Sequence, residues 1–316
     1  MKRRWIVLAA LIILALIIGV YIARRERKPT KLRVGFIPIA DAGQLFVAID
    51  KGFFNEEGIE VETVSLPGGA QILEALGANS IDIGFSNIVS LILARDSGLQ
   101  FVALTGGPAE DEAHKEHAIL VRRDGPVQQV TDLSGKRIAL NSRKNIDELM
   151  LTLLFKKHNI NPSSVTFVEV PFPRMLNVLE SGDVQAVAAI EPFVTFGLKD
   201  QKNKVLTYNY LEIQPVTEIS TYVANKNWVN GNPELAGAFQ RALRKATVFA
   251  QANQAEVKRI LTRYTRLDEN QIKDVILPSY NESLSDERLN EMIKRVHEMG
   301  WIKNTFPAQD IKNSAK

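Results

Sequence analysis

The sequence of 316 residues predicts an α/β fold built as two lobes with a cleft between them. From residue 32 onward, short apolar strands alternate with helices, which is typical of a mostly parallel sheet with right-handed crossovers. One order of elements (strand, proline turn, short helix, glycine, strand) occurs at 64–81 and again at 168–187. The length also suits two compact lobes better than a single core.

The elements follow from apolar periodicity and from the turn residues that bound each run. In the first lobe we predict strands at 32–37, 59–66, 81–85 and 99–104 and helices at 44–51, 70–77 and 87–97. In the second lobe we predict strands at 136–140, 165–170 and 184–190 and helices at 146–157 and 174–181. A helical tail follows at 233–253, 255–264 and 286–299.

The chain should cross between the lobes twice, and two short alternating segments, 118–122 and 219–224, are the candidates. The predicted organisation is therefore an N-terminal segment and linker at 1–31, a first part of lobe 1 at 32–117, lobe 2 at 118–218, and a return to lobe 1 with C-terminal helices at 219–316.

Residues 5–23 contain no charged side chain, and as a helix they would span roughly 28 Å, close to the hydrocarbon core of a bilayer. We predict an N-terminal transmembrane helix that stays in place as an anchor. A cleaved signal peptide is the alternative, but Tyr21 occupies a position of the cleavage site that requires a small residue. The flank after the helix holds more Lys and Arg than the flank before it, which taken alone favours a cytoplasmic domain.

The net charge of +3 is distributed unevenly along the chain. Of the 39 basic residues 8 lie in residues 1–31, but only 1 of the 36 acidic residues lies there. The remaining chain is therefore mildly acidic, which removes the support for a nucleic-acid partner. The absence of cysteine excludes disulfides, thiolate metal sites, cysteine nucleophiles and lipid attachment through cysteine.

Three segments carry a resemblance to a known family. They are Val34-Gly35-Phe36-Ile37-Pro38 followed by the Lys51–Val61 stretch, Leu133–Ala139, and the strand 186–190 with Glu191-Pro192-Phe193 after it. Over roughly residues 32–250 the sequence resembles the substrate-binding proteins of nitrate, sulfonate and taurine ABC importers. The related pyrimidine synthases of thiamine biosynthesis share the fold.

This resemblance implies a type II periplasmic-binding-protein fold that closes by hinge motion around a small-molecule solute. It also implies an ABC permease and ATPase as partners, no catalysis and no cofactor. We accordingly expect a monomer that is attached to the membrane through residues 5–23, with the binding domain on the extracytoplasmic side. A large C-terminal domain can be translocated despite its charged flank, so we follow the resemblance on topology.

Ligands of parallel α/β sheets bind beyond the carboxyl ends of the strands, so the polar turns there should converge on the cleft. The candidates in lobe 1 are Asp41, Gln44, Gly69, Gln71, Ser86, Asn87, Thr105 and Gly106. Those in lobe 2 are Asn141, Arg143, Glu191 and Phe193.

The start of the helix at Gly69 and the guanidinium of Arg143 suit an anion, so a small sulfonate, taurine or nitrate-like solute is expected. A nitrogen heterocycle such as a thiamine pyrimidine precursor is the alternative. For single residues simpler roles stay open: Asp41 and Asn87 as helix caps, Arg143 as a solvated side chain, Phe193 in the core, and Glu191 as a tie across the hinge instead of a ligand contact.

Other chemistries find less support in the sequence. The segment 110–117 contains the spacing His-x-x-His, but its many charges suit an exposed loop, so we predict no metal site. A pyrimidine-synthesis enzyme would need a cysteine-rich motif that the chain lacks. A sensor that signals through the membrane helix would need a partner protein for its output.

Overall fold

The computed structural model describes residues 28–199, 201–265 and 268–313, and in these residues the chain forms two α/β lobes. Lobe 1 contains the strands β1 (Thr30–Phe36), β2 (Ile59–Ser65), β3 (Ile83–Asn87), β4 (Phe101–Ala103) and β12 (Ser220–Asn225). Lobe 2 contains β6 (His117–Arg122), β7 (Arg137–Leu140), β8 (Thr166–Glu169), β9 (Ala186–Ile190) and β10 (Asn203–Thr207).

Helices connect and cover these strands. Lobe 1 carries α1 (Gly43–Asp50), α2 (Phe53–Glu56), α3 (Gly69–Gly77) and α4 (Ile88–Asp96). Lobe 2 carries α5 (Ile146–Lys157), α6 (Phe172–Glu180), α7 (Phe193–Lys199) and α8 (Asn209–Ile213). The C-terminal part adds α9 (Lys226–Gly231), α10 (Pro233–Ala252), α11 (Gln254–Thr265), α12 (Glu269–Ile272) and α13 (Asp286–Glu298).

The two main sheets follow the same plan. Lobe 1 has the strand order β2-β1-β3-β12-β4, and lobe 2 has the order β8-β7-β9-β6-β10. In each sheet the fourth strand, β12 or β6, is antiparallel to its neighbours, while the pairs β1–β2, β1–β3, β7–β8 and β7–β9 are parallel. The duplication predicted from the sequence is therefore a repeat of sheet topology.

The lobes are joined through a small antiparallel sheet. It consists of β5 (Pro108–Asp111) between β11 (Val216–Glu218) and β13 (Ser279–Tyr280). The segments expected to be the crossings, 118–122 and 219–224, instead lie in β6 and β12, inside the main sheets. The chain crosses just before each of them, because β5 and β11 pair with each other and not with either lobe's sheet.

The core lies around the central strands, which carry helices on both faces. Every residue of β3 and of β9 is buried, as expected for the middle of a parallel sheet. At Gly84 a Cβ atom would lie 2.2 Å from Cγ2 of Ile72, so the glycine is what lets α3 pack directly on β3. Helix α1 packs on α10 and α11, with Phe46 stacked on Tyr264 at 4.1 Å between ring centroids.

The predicted membrane helix at 5–23 lies outside the described residues. Of the helices in the described ranges, none combines the length and the apolar character that crossing a membrane requires.

Candidate functional site

Loops from both lobes and from the crossing meet at one place. The backbone N–H of Ala40, after β1, donates to the carbonyl of Glu191 at the end of β9, at 3.2 Å. The N–H of Glu191 in turn donates to the carbonyl of Glu116, which precedes β6, at 3.0 Å. A Cβ atom on Gly68, before α3, would lie 3.3 Å from Nδ2 of Asn141, so the lobes also touch here.

The crossing brings a glutamate pair and a histidine to this place. Glu110 lies on β5, and Glu116 and His117 stand where the chain enters β6; all three are buried. Oε2 of Glu110 accepts the backbone N–H of His117 at 3.1 Å and lies 2.7 Å from Nδ1 of its ring. One carboxylate oxygen from each glutamate and one ring nitrogen of His117 lie within 4.8 Å of one another, a group that is able to hold a metal ion.

Two residues of lobe 2 hold the ring of His117 in place. The ring of Tyr210 on α8 stacks on the ring of His117 with 4.0 Å between centroids and an interplanar angle of 9°. The hydroxyl of Tyr210 donates to Oδ1 of Asp147 on α5 at 2.7 Å. His117 is therefore held by an acid on one side and by an aromatic ring on its face.

Lobe 1 contributes Asp41 and Gln44. Asp41 is fully buried in the 3-10 turn Ala40–Ala42, where its carboxylate interacts with the carboxyl group of Glu116 and accepts from no other side chain of the described ranges. It does not cap the following helix, which was the alternative considered for it. Gln44 donates through Nε2 to Oγ1 of Thr247 and to the carbonyl of Asn281, and its Oε1 is left without a partner.

The buried acids act strongly on one another. Burial raises the pKa of Glu116 well above its usual value, and the neighbouring charges of Asp41, Glu110 and Glu191 raise it further. Burial likewise raises the pKa of Asp41 and of Glu110. For His117, burial alone would lower the pKa, but the hydrogen bond and charge of Glu110 reverse the effect and raise it. The cluster thus favours any partner that brings positive charge or protons.

Several predicted site residues lie together where the start of α3 meets the end of β3. Oγ of Ser86 donates to the carbonyl of Gly69 at 3.2 Å, and a Cβ atom on Gly69 would lie 2.6 Å from Nδ2 of Asn87. Asn87 caps α4, its Oδ1 accepting the N–H of Ser90 at 2.9 Å. The buried Oε1 of Gln71 has no partner in the part of the chain that the structure describes.

Across the cleft, Oδ1 of Asn141 accepts from Nδ2 of Asn145 at 2.7 Å. Asn145 in turn caps α5, its Oδ1 accepting the N–H of Glu148.

Two other predicted site residues, Arg143 and Thr105, have partners away from the buried acids Asp41, Glu110 and Glu116. The guanidinium of Arg143 donates to both carboxylate oxygens of Glu148, at 2.8 and 2.9 Å, and lies 5.2 Å from the ring centroid of Phe167. Thr105 lines a small cavity of about 40 Å³ together with Thr247 and Asn281, the two residues to which Gln44 donates.

Two further candidates have local partners. A Cβ atom on Gly106 would lie 2.3 Å from the carbonyl oxygen of Asn281, so this glycine is needed for backbone packing. The half-buried ring of Phe193 stacks on Phe172 at 6.2 Å between centroids.

Glu191 forms a tie between parts of the fold. Its carboxylate accepts from the N–H and the hydroxyl of Thr195 at 3.0 and 2.7 Å, and from the N–H of Ile276 at 3.2 Å. Burial raises its pKa to about 7, although these donors act in the opposite direction. Of the two roles that the sequence left open for Glu191, these contacts correspond to the tie.

The expectation that 110–117 forms an exposed loop is wrong for Glu110, Glu116 and His117. Only Glu112 and Ala113 are exposed; both ends of the segment belong to strands that pair with distant parts of the chain. One signal in the sequence pointed this way: His117 directly precedes the apolar run 118–121, so its side chain begins a buried strand.

The two lobes and the sheet that joins them define a two-lobed α/β binding-protein fold. The chain belongs to the NMT1/THI5 like family, whose model matches residues 40–257. A relative from Bacillus subtilis (strain 168), named for the binding of aliphatic sulfonates, is 24% identical over 294 residues, which are 91% of this chain and 86% of the relative.

Solved structures share the fold at low sequence identity. The alkanesulfonate-binding protein SsuA from Xanthomonas axonopodis pv. citri, bound to MOPS, has a TM-score of 0.76 and 18% identity, covering 90% of this chain and 98% of that one. The ligand-binding component of an ABC-type import system from Staphylococcus aureus, with zinc bound, has a TM-score of 0.77 and 17% identity, covering 91% and 99%. These matches confirm the resemblance to this family and the α/β binding-protein fold.

Proposed function

We propose that the chain is the extracytoplasmic solute receptor of an ABC importer, closing its lobes around a small solute for delivery to a permease and an ATPase. The observation that carries the proposal is a set of buried oxygen atoms where the lobes meet to which no N–H or hydroxyl group of the described side chains donates. They include both carboxylate oxygens of Asp41 and of Glu116 and the Oε1 atoms of Gln44 and Gln71. Because buried polar atoms are normally hydrogen-bonded, a bound solute is the partner that these atoms require.

A sulfonate, taurine or nitrate-like anion is supported by the names of the sulfonate-binding relatives and by helix α3. Gly68 precedes this nine-residue helix, and no side chain caps it, so the first-turn N–H groups are free of a capping oxygen. Such N–H groups favour an anionic oxygen. Arg143, in contrast, would have to leave Glu148 before it could contact a solute.

The buried acids Asp41 and Glu116 indicate which functional groups the solute should carry. A simple anion offers no donor to the buried carboxylate oxygens of Asp41 and Glu116. A solute with a sulfonate at one end and a protonated amine at the other supplies such donors, since its amine donates to the acids while its sulfonate meets the start of α3. Within the anionic class, an aminosulfonate such as taurine therefore fits the geometry best.

A nitrogen heterocycle with an exocyclic amine is the second candidate, and the carboxylates of Asp41 and Glu116, which lack a donor among the described side chains, are the observation that favours it. Such a ring would also need an aromatic wall to stack on. The ring of Tyr210 is already stacked on His117, and Phe193 already packs on Phe172.

A set of ligands that differ by one functional group distinguishes between these candidate solutes. We would measure binding to the full chain by calorimetry for taurine, ethanesulfonate, ethylamine, nitrate and 4-aminopyrimidine. Taurine is expected to bind at least about tenfold more tightly than ethanesulfonate, because the latter lacks the amine and leaves buried acids unpaired. Asp41→Asn should weaken taurine binding and spare ethanesulfonate, and Glu112→Gln on the exposed turn should change neither. Binding of 4-aminopyrimidine alone would favour the second candidate, and no binding of any of the five would contradict the proposal.

We further propose that residues 5–23 tether a monomeric receptor to the membrane with the binding domain outside. The support is the uncharged run of the sequence and the extracytoplasmic role of the receptor. Protease added to intact cells should digest the domain. Protection of the domain while an outside marker is digested would contradict this topology.

A further inference from the structure

The crossing segment offers a compact set of metal-binding atoms, and of its three residues the proposed solute site uses only Glu116. Glu110, Glu116 and His117 all belong to eight consecutive residues, and their ligating atoms lie within 4.8 Å of one another. Two carboxylates and one imidazole are donors that suit first-row divalent metal ions, and three protein ligands leave a further coordination position free.

A second observation is that Glu116 lacks a donor. It is fully buried, and no backbone N–H and no other side chain than the carboxyl group of Asp41 is a hydrogen-bond partner of its carboxylate among the described residues. Oε1 of Glu110 is also buried and without a partner. An uncompensated buried carboxylate is costly, so a cation at this position removes a large energetic penalty.

We propose that Glu110, Glu116 and His117 bind one divalent transition-metal ion, of the Mn²⁺ or Zn²⁺ class, at the floor of the cleft between the lobes. The ion neutralises the two glutamates and fixes the crossing between β5 and β6. Asp41, which lies on lobe 1, stays available for the solute.

The placement of the three residues favours an inorganic ion over the amine of a solute. All three come from the crossing, so the site is complete within one segment and does not depend on closure of the lobes. His117 is further held by the stacked ring of Tyr210, whose hydroxyl donates to Asp147. A ligand that is oriented in this way by a second layer of contacts is typical of metal sites.

The test uses the full chain after treatment with EDTA, titrated with MnCl₂ while free Mn²⁺ is followed by electron paramagnetic resonance. One ion per chain is expected, with ZnCl₂ competing for it. Glu116→Gln should weaken Mn²⁺ binding by at least about tenfold. Glu112→Gln is the matched control, because Glu112 lies in the same segment but is exposed and pairs with Lys115. If Glu116→Gln does not fold, His117→Gln gives the same comparison.

Three results would overturn the proposal: no stoichiometric binding to the EDTA-treated chain, equal binding by Glu116→Gln and the parent, or an equal loss in Glu112→Gln. Displacement of Mn²⁺ by taurine, one for one, would also overturn it, because the cluster would then be the amine subsite of the solute. Solute binding is measured separately on the EDTA-treated chain, so failure of the metal site and failure of the receptor function give different results.

Discussion

The carboxylate of Glu191 accepts the backbone N–H of Ile276 at 3.2 Å, joining the end of β9 in lobe 2 to the segment that precedes β13. The same carboxylate accepts two hydrogen bonds from Thr195 in its own lobe. Since the backbone of Glu191 also contacts Ala40 and Glu116, this residue links both lobes and the crossing. Its protonation state should therefore affect the stability of the whole arrangement.

Glu191→Gln is expected to flatten the pH dependence of stability. The pKa of Glu191 is raised by burial from its ordinary value of 4.5 to about 7. A carboxyl with a raised pKa in the folded state contributes stability that is present below pH 4.5 and lost as the pH rises through 7. The free energy of unfolding of the parent should thus fall between pH 4.5 and 7 relative to the variant, by up to about 3 kcal/mol at roughly 1.4 kcal/mol per pKa unit.

Urea unfolding at pH 5 and pH 8 measures this difference. Glu62→Gln, on the exposed face of β2, serves as the control and should keep the slope of the parent. An identical slope in Glu191→Gln would show that the Glu191 carboxyl does not titrate in this range.

Gly107→Ala is expected to destabilise the junction between the lobes. A Cβ atom there would lie 2.0 Å from the carbonyl oxygen of Ser220, and the backbone of β12 cannot move away without disturbing its ladder. We expect a loss of at least about 1–3 kcal/mol in the free energy of unfolding. Gly231→Ala, at the end of α9, is the matched control because a Cβ atom meets nothing within 4 Å, and its effect should stay within about 0.5 kcal/mol. Equal stability of the two variants would contradict the packing described here.

Tyr280→Phe tests what holds the loop of Asp41. The buried hydroxyl of Tyr280 donates to the carbonyl of Ala40 at 2.7 Å, so its removal leaves that carbonyl without this donor. A cost of about 1–3 kcal/mol in the free energy of unfolding is expected. The hydroxyl of Tyr222 donates to no acceptor among the described residues, so Tyr222→Phe leaves no carbonyl without its donor and should cost less. A larger loss from Tyr222→Phe than from Tyr280→Phe would mean that the loop is held by other contacts.

The repeated plan of the two sheets was predictable from the sequence because local patterns determine it. Apolar runs bounded by glycine and proline mark β3 and β9, and the helix at 146–157 has the bounds that its periodicity predicts. The crossing was not predictable in the same way. Glu110 lies in a strand whose partners, β11 and β13, are more than a hundred residues away, and only this pairing buries a segment that is otherwise densely charged.

Arg143 shows a second limit of sequence patterns. The sequence predicts that Arg143 lies near the start of α5, as it does. The direction of its side chain, however, depends on whether a solute or a nearby acid binds the guanidinium. Glu148 lies in the first turn of the helix with only 8% of its side chain exposed, and its carboxylate accepts from Nε and Nη2 of the guanidinium. Spacing along the sequence does not reveal which partner is preferred.

Arg143→Met should consequently change the affinity for the solute by less than about threefold, because the solute does not gain a guanidinium that Glu148 holds. Since half of the Arg143 side chain is exposed, the loss of the ion pair should also cost no more than about 1 kcal/mol of stability. Calorimetric titration with taurine measures the affinity, and Arg174→Met, at an exposed position of α6, is the control. A loss of affinity above tenfold in Arg143→Met, with Arg174→Met unchanged, would mean that the arginine leaves Glu148 when the solute binds and that it clamps the anionic end.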